Sequence, residues 1–308
     1  MVTPGYPDPS VVPSLFLPSS IEAAPSCYLT NDEYRSMPNA VDLSALTYYQ
    51  QGQDEEGALH EEIIKASEWM DNYCNQALTA QTYTWQERNR VNRRGEIRVH
   101  PPTWPVMQVT AFAYGTSPAS LIALGDLSSA WLEPEQFIVP LMSAASTYAG
   151  NGLTMGFNTV IGGNDVFTRY TYTSGYVCTT LTAGASAAAT QIVVASATGI
   201  TAGTLLTLTD GRTTERVTVS SITGTTVTLS GPLVNAHAAG VGCHALPGAV
   251  KKAAMLVTTA FLKTRGSGGM TVRTMSSSET ADKAKTERWG ANEMAMAENI
   301  LTSYARRR

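Results

Sequence analysis

The chain predicts an α+β protein: a small helical core of three main helices, a β-rich region, and an inserted small β-barrel or sandwich domain. Three observations lead there. Residues 57–78 carry an apolar stripe at helical spacing, and residues 81–173 alternate as strands do. Between Tyr172-Thr-Ser-Gly-Tyr-Val-Cys178 and Leu246-Pro-Gly-Ala-Val-Lys-Lys-Ala-Ala254 lies a stretch of different composition, rich in threonine, alanine and glycine and free of aromatic rings. The expected boundaries are an extended N-terminal arm over 1–55, a core over 56–180 plus 246–305, an inserted β-domain over 181–245, and a basic C-terminal tail over 306–308.

The arm is rich in proline and poor in periodic apolar pattern. Short ordered pieces are expected around Leu15-Phe-Leu17 and Tyr28-Leu29, and Asn31-Asp-Glu-Tyr34 can start a single helical turn. Such arms gain order from a neighbour or stay disordered, and both readings stand. In the helix over 57–78, Leu59, Ile63, Ala66, Met70, Tyr73 and Ala77 recur in steps of four and three. Asp54, Glu55, Glu56, Glu61 and Glu62 sit at its start, where the helix dipole favours anions. Trp69 stands off the stripe, as a second packing face or a subunit contact.

Thr82–Glu87 and Glu96–Val99 flank the turn Asn92-Arg-Arg-Gly95, which predicts a hairpin. Arg88, Arg90, Arg93, Arg94 and Arg98 make it the most basic patch, facing a partner or DNA. A solvated tip or an acidic partner suits it better than DNA, since no aromatic platform or recognition helix accompanies it. His100–Pro105 is a rigid link into a strand over Val106–Phe112, and Gln136–Val139 and Val166–Tyr172 are further strands beside glycine-rich loops at 149–163. Gly162-Gly163 is followed by neither a lysine nor a helix start, so it is not a phosphate loop.

In the insert, Gln191–Val194, Thr204–Thr209, Glu215–Val219 and Thr226–Leu229 read as short strands, with Asp210-Gly211 as a hairpin turn. Pro247 reads as the first residue of a second helix over 247–265, with Val250, Ala253, Val257 and Phe261 on one face. Ser276-x-x-Glu279 fits a capping box for a third helix running to about Tyr304, with Met294, Ala297, Leu301 and Tyr304 on its stripe.

An apolar content of 43% suits a folded protein, while only 15% of residues are charged, as befits a surface buried in an assembly. A net charge of −4 excludes a general affinity for nucleic acid. No apolar run approaches the ~20 residues that span a bilayer, so no membrane partner is expected. Met1–Pro9 lacks the basic and apolar regions of a signal peptide. Cys27, Cys74, Cys178 and Cys243 show no C-x-x-C spacing, and His60, His100, His237 and His244 are scattered, so neither metal nor cofactor is expected. Cys178 and Cys243 flank the insert and are expected close together, as a reduced pair in a cytosolic setting or as a late disulfide. No nucleophile elbow, zinc helix, Walker loop or oriented Cys/His pair is present, so the chain is read as a non-enzyme.

The order of parts resembles the head-to-tail adaptor (head-tail connector) proteins of long-tailed bacteriophages. The matching residues are Ile64–Cys74 at a helix end, Pro102-Thr-Trp-Pro-Val106 feeding a strand, Tyr172-Thr-Ser-Gly-Tyr176, Pro247–Ala254 opening a helix, and Ala297–Arg306 closing the last one. They cover about half the chain as loose motifs. Tyr172, Gly175, Tyr176 and Pro247 form the core junction, and the β-insert holds apart two motifs that lie closer together in the family. The resemblance implies a cyclic homo-oligomer, typically of twelve, assembled in the host cytoplasm and placed in the virion neck. There it would bind the portal protein above and the next neck protein, a stopper, below, and DNA would pass through its lumen without sequence-specific binding. The family docks a C-terminal segment into the portal, which maps onto Tyr304, Arg306, Arg307 and Arg308. The alternatives are a head-closing stopper, a tail terminator, or a virion surface protein that binds carbohydrate.

Overall fold

The computed structural model describes residues 27–37, 40, 41, 43, 55–92, 94–141, 165–211, 213–264 and 291–306. Glycine-rich 149–163, Ser276–Glu279, Arg93, Arg307 and Arg308 lie outside them. Thr82–Ser174 form one compact unit, and the described residues up to Gln81 form a second with those from Gly175 onward.

The expected helical core is overturned. The described residues are mostly β, with 40% strand and 24% helix, and they form four helices, three sheets and a half-barrel. Helical stripes are loud in a sequence because each spans many turns. Short strands whose outward positions hold Thr, Ser or Ala alternate only faintly, so a helix-led reading undercounts them.

The unit over Thr82–Ser174 contains two sheets. One has the order β1 (Gln81–Arg90), β7 (Asp165–Ser174), β3 (Val106–Ser117), β4 (Ser120–Ala123); the other runs β2 (Glu96–Val99), β6 (Gln136–Pro140), β5 (Trp131–Glu133). Their inner faces share one aromatic core of Tyr83, Phe112, Phe137, Tyr170 and Tyr172, with the Phe137 and Tyr170 rings edge to face at 5.2 Å. Hydroxyl pairs Thr82–Thr173 and Thr84–Thr171, each at 3.0 Å, link β1 to β7 side by side. The predicted hairpin therefore splits. Its turn exists, with Asn92 Oδ1 accepting from the Arg94 and Glu96 N–H groups, but β1 and β2 meet only at the bridge Val91–Ile97. The ten-residue β1 finds its ladder on the equally long β7, while β2 pairs with β6 from Glu96–Pro140 to Val99–Phe137.

In the second unit, α2 (Glu55–Cys74) buries Leu59, Ile63, Ala66 and Met70, and stops where Asn75 turns left-handed at φ 53°. With α1 (Asn31–Arg35), α3 (Gly248–Thr264) and α4 (Ala291–Leu301) it encloses a core that includes Tyr28, Tyr34, Val250, Val257 and Leu301. A six-stranded sheet follows the order β8 (Cys178–Thr180), β13 (Gly242–His244), β10 (Leu205–Asp210), β11 (Thr213–Thr223), β12 (Thr226–Leu229), β9 (Gln191–Val193). Its two ends meet at the bridge Leu181–Val194, so the sheet curls round an aliphatic core of Leu206, Leu208, Val217, Val219 and Val227. The β10–β11 hairpin closes on the pair Asp210–Thr213, one position beyond the expected turn, with Gly211 at φ 55°.

The ends of the β8–β13 stretch lie side by side, since Ala245 N–H donates to the Val177 carbonyl at 2.8 Å. Just before them, Tyr176 exchanges backbone hydrogen bonds with Leu78 and Ala80, at 2.7 and 2.8 Å. Gly175 sits at φ 102°, and a Cβ there would collide with the Thr79 carbonyl. Replacing Gly175 with Ala is expected to cost about 2 kcal/mol or more, from left-handed strain plus the backbone clash, measured by urea unfolding of the full chain.

Candidate functional site

A Thr30-x-x-Glu33 capping box starts α1: the Thr30 hydroxyl accepts from Glu33 N–H, and the Glu33 carboxylate accepts from Thr30 N–H. That box fixes the Glu33 side chain, which is only 3% exposed. Both of its oxygens receive the Lys251 ammonium of α3, at 2.7 and 2.6 Å, and His244 Nε2 of β13 stands 3.8 Å away. A Cβ on Gly242 would lie 2.7 Å from the same carboxylate, so a glycine at that position lets the strand approach. The residues preceding α1 are clamped too. Tyr28 N–H donates to Ser67 Oγ at 3.1 Å, and the Tyr28 hydroxyl bonds Asp71 and receives the Leu78 N–H.

The β8–β13 register sets Cys178 opposite His244 and Cys243 opposite Thr179. Side chains alternate across a strand, so Cys178 faces the helical core while Cys243 lies in the barrel core. Adjacent in the ladder, the two expected splice cysteines point to opposite faces. All four cysteines are free thiols.

His244 thus stands between its ladder partner Cys178 and the Glu33 carboxylate, a juxtaposition that no linear spacing announces. Their electrostatics run against a nucleophile. Burial pushes the Cys178 thiol up to about 12, where a reactive cysteine needs a depressed value. Burial, helped by the Lys251 charge, pulls His244 down to about 3, so the ring is neutral at ordinary pH. Its Nδ1 finds no hydrogen-bond partner among the described residues. The group holds three elements together around one buried ion pair.

A second polar cluster pins the loop before β13. Burial pushes the Glu215 carboxyl up, yet N–H donation from Val234 and Asn235, with His237 and the Asn235 amide, holds it below its usual range. Among the described residues, no group of three or more His, Cys, Asp or Glu side chains is placed to hold a metal ion, and no helix is long and apolar enough to cross a membrane.

The residues expected to form sites are only partly brought together. Tyr172 is buried in the aromatic core of the first unit, whereas Gly175, Tyr176 and Pro247 belong to the second. Pro247 lies one residue ahead of α3, its carbonyl receiving the Val250 and Lys251 N–H groups. The Tyr304 ring sits edge-on to Tyr176 at 6.3 Å, and Arg306 N–H bonds the Cys74 carbonyl while its side chain is exposed. The basic strand residues have acids near them: Arg88 pairs with Asp165 at 3.2 Å and lies over the Phe167 ring, and the Glu133 carboxyl is held low by hydrogen bonds from Gln136 and Trp131, with a smaller contribution from the Arg98 charge. Arg90 and Arg94 are exposed. Sequence reading missed Glu33 and Lys251 as partners, because 218 positions separate them. The one available signal was Thr30-x-x-Glu33.

Compared with known proteins, the chain matches no family model and no curated protein.

Two outcomes test this cluster. Lys251→Met strands a buried carboxylate and is expected to cost about 3–5 kcal/mol in urea unfolding, more than the double change with Glu33→Gln, which removes both charges. For His244 the folded value of about 3 lies below the unfolded value of about 6.5, so only the unfolded chain takes up the proton between them. Stability present above about pH 6.5 is therefore lost as pH falls, by up to ~1.4 kcal/mol per unit, and His244→Gln should flatten that slope.

Proposed function

We propose that this chain is a head-to-tail adaptor of a long-tailed bacteriophage, a ring-forming subunit that binds the portal and continues the DNA channel toward the tail. The carrying observation is the contact between Val177 and Ala245, which brings the glycine-tyrosine turn and the helix opened by Pro247 back to back despite the insert. The two motifs that carry the resemblance are thereby neighbours in space. Their last partner, the segment Ala297–Arg306, returns to the same place, with Tyr304 on Tyr176 and Arg306 on the end of α2.

The charge pattern is compatible with a lumen that DNA slides through. Phosphate binding needs unneutralised Lys and Arg; Arg88 is paired with Asp165, and Glu87 and Glu96 lie among the arginines in sequence. A head-closing stopper or tail terminator is the second reading, favoured by the predominance of strands. A carbohydrate-binding role is weaker, because the β8–β13 stretch offers no aromatic ring to stack on a sugar.

Electron microscopy of the recombinant chain, alone and with the portal protein of the same virus, tests the proposal. A closed ring seated on the portal is expected, and removal of Arg306–Arg308 should keep the ring while weakening portal binding about tenfold or more. A chain that forms no ring and leaves the portal unbound refutes the adaptor reading; a position beyond the adaptor in the assembled neck favours the stopper.

A further inference from the structure

We propose that Cys27 and Cys178 form a disulfide that locks residues 27–37 onto β8 when the protein meets a low-molecular-weight disulfide. The Cys178 thiol already donates to the Cys27 carbonyl at 3.1 Å. Both side chains are half-buried, free, and packed against the same helical core. A disulfide needs Cβ atoms about 4 Å apart, and the Cys178 sulfur already lies against the Cys27 main chain. The other thiols are committed elsewhere: Cys243 faces the barrel core, and Cys74 points at the Leu301 carbonyl on α4.

The segment that would be locked carries Tyr28, Glu33 and Tyr34, whose contacts join α1 to α2, α3 and β13. A cross-link between positions 27 and 178 closes a loop of about half the chain, which restricts the unfolded state strongly. The exchange balances as follows. A Cys27 thiolate attacks the sulfur of the small disulfide and expels one thiolate, which takes up a proton. The deprotonated Cys178 then attacks Cys27 Sγ, the mixed disulfide breaks, and a second small thiol leaves. Two protein thiols are oxidised and one small disulfide is reduced to two thiols. Burial raises both protein thiols, so the exchange is slow and accelerates with pH.

The full chain, incubated with oxidised glutathione, is alkylated, digested and read by mass spectrometry, with thermal unfolding followed in parallel. A peptide linking Cys27 to Cys178 is expected, together with a rise in the midpoint on the order of 5 °C. Cys27→Ser should abolish both, whereas Cys243→Ser and Cys74→Ser should retain the linked peptide. Stable glutathione adducts on Cys27 without the link, no reaction of either thiol in the folded chain, or a link through Cys243 would each overturn the proposal.

Discussion

Everything around the helical core depends on the Glu33 carboxylate finding a cation inside the protein. A carboxylate taken out of water costs several kcal/mol unless a partner and further donors compensate it. Lys251 supplies the charge, Thr30 the backbone N–H, and α1, α3 and β13 are thereby held around one anion. Glycine at position 242 is part of the same constraint, since the strand passes where a side chain would strike the carboxylate. The short α1 has no length from which to draw helical stability of its own, and its buried Tyr34 and Glu33 give it tertiary support instead.

The two cores differ in material. The core of Thr82–Ser174 combines aromatic rings in tilted and edge-on pairs with valines and Ile97, whereas the core of the curled sheet over β8–β13 is mainly Val, Leu and Ile with Ala185 and Cys243. A core without large rings suits a small sheet that bends back to meet itself, because aliphatic side chains fill a narrow interior without fixed ring orientations. The antiparallel pairing of β8 with β13 returns the chain to its starting point, so the stretch can be accommodated without parting Tyr176 from the helix that follows Pro247. The same pairing turns the flanking cysteines away from each other and sets Cys178 beside the segment before α1 instead.

Much of the helical layer was legible. Of the first stripe, Leu59, Ile63, Ala66 and Met70 are buried, while Tyr73 is half-buried and Ala77 falls beyond the end of α2; on α3, Val250, Ala253 and Val257 are buried and Phe261 is half-buried. The strands β4 and β5 were not, because Ser120–Ala123 and Trp131–Glu133 are short and largely exposed, leaving no alternation to read. The hairpin at Asn92–Gly95 was half legible: a turn is a local event, but the ladder each strand joins is chosen by buried faces far along the chain.

The sequence alone determined the main body of α2 and α3, several of the longer strands and the stretch without Phe, Trp or Tyr, since propensity and periodicity act over neighbours. It also determined that the ends of that stretch flank a glycine turn and a helix-opening proline. Only the tertiary structure decided that strands outweigh helices, that Glu33 meets Lys251, and that Cys178 lies beside Cys27 rather than facing Cys243. Those facts rest on register and on burial shared between distant segments, where a single-residue slip reverses which face a side chain occupies.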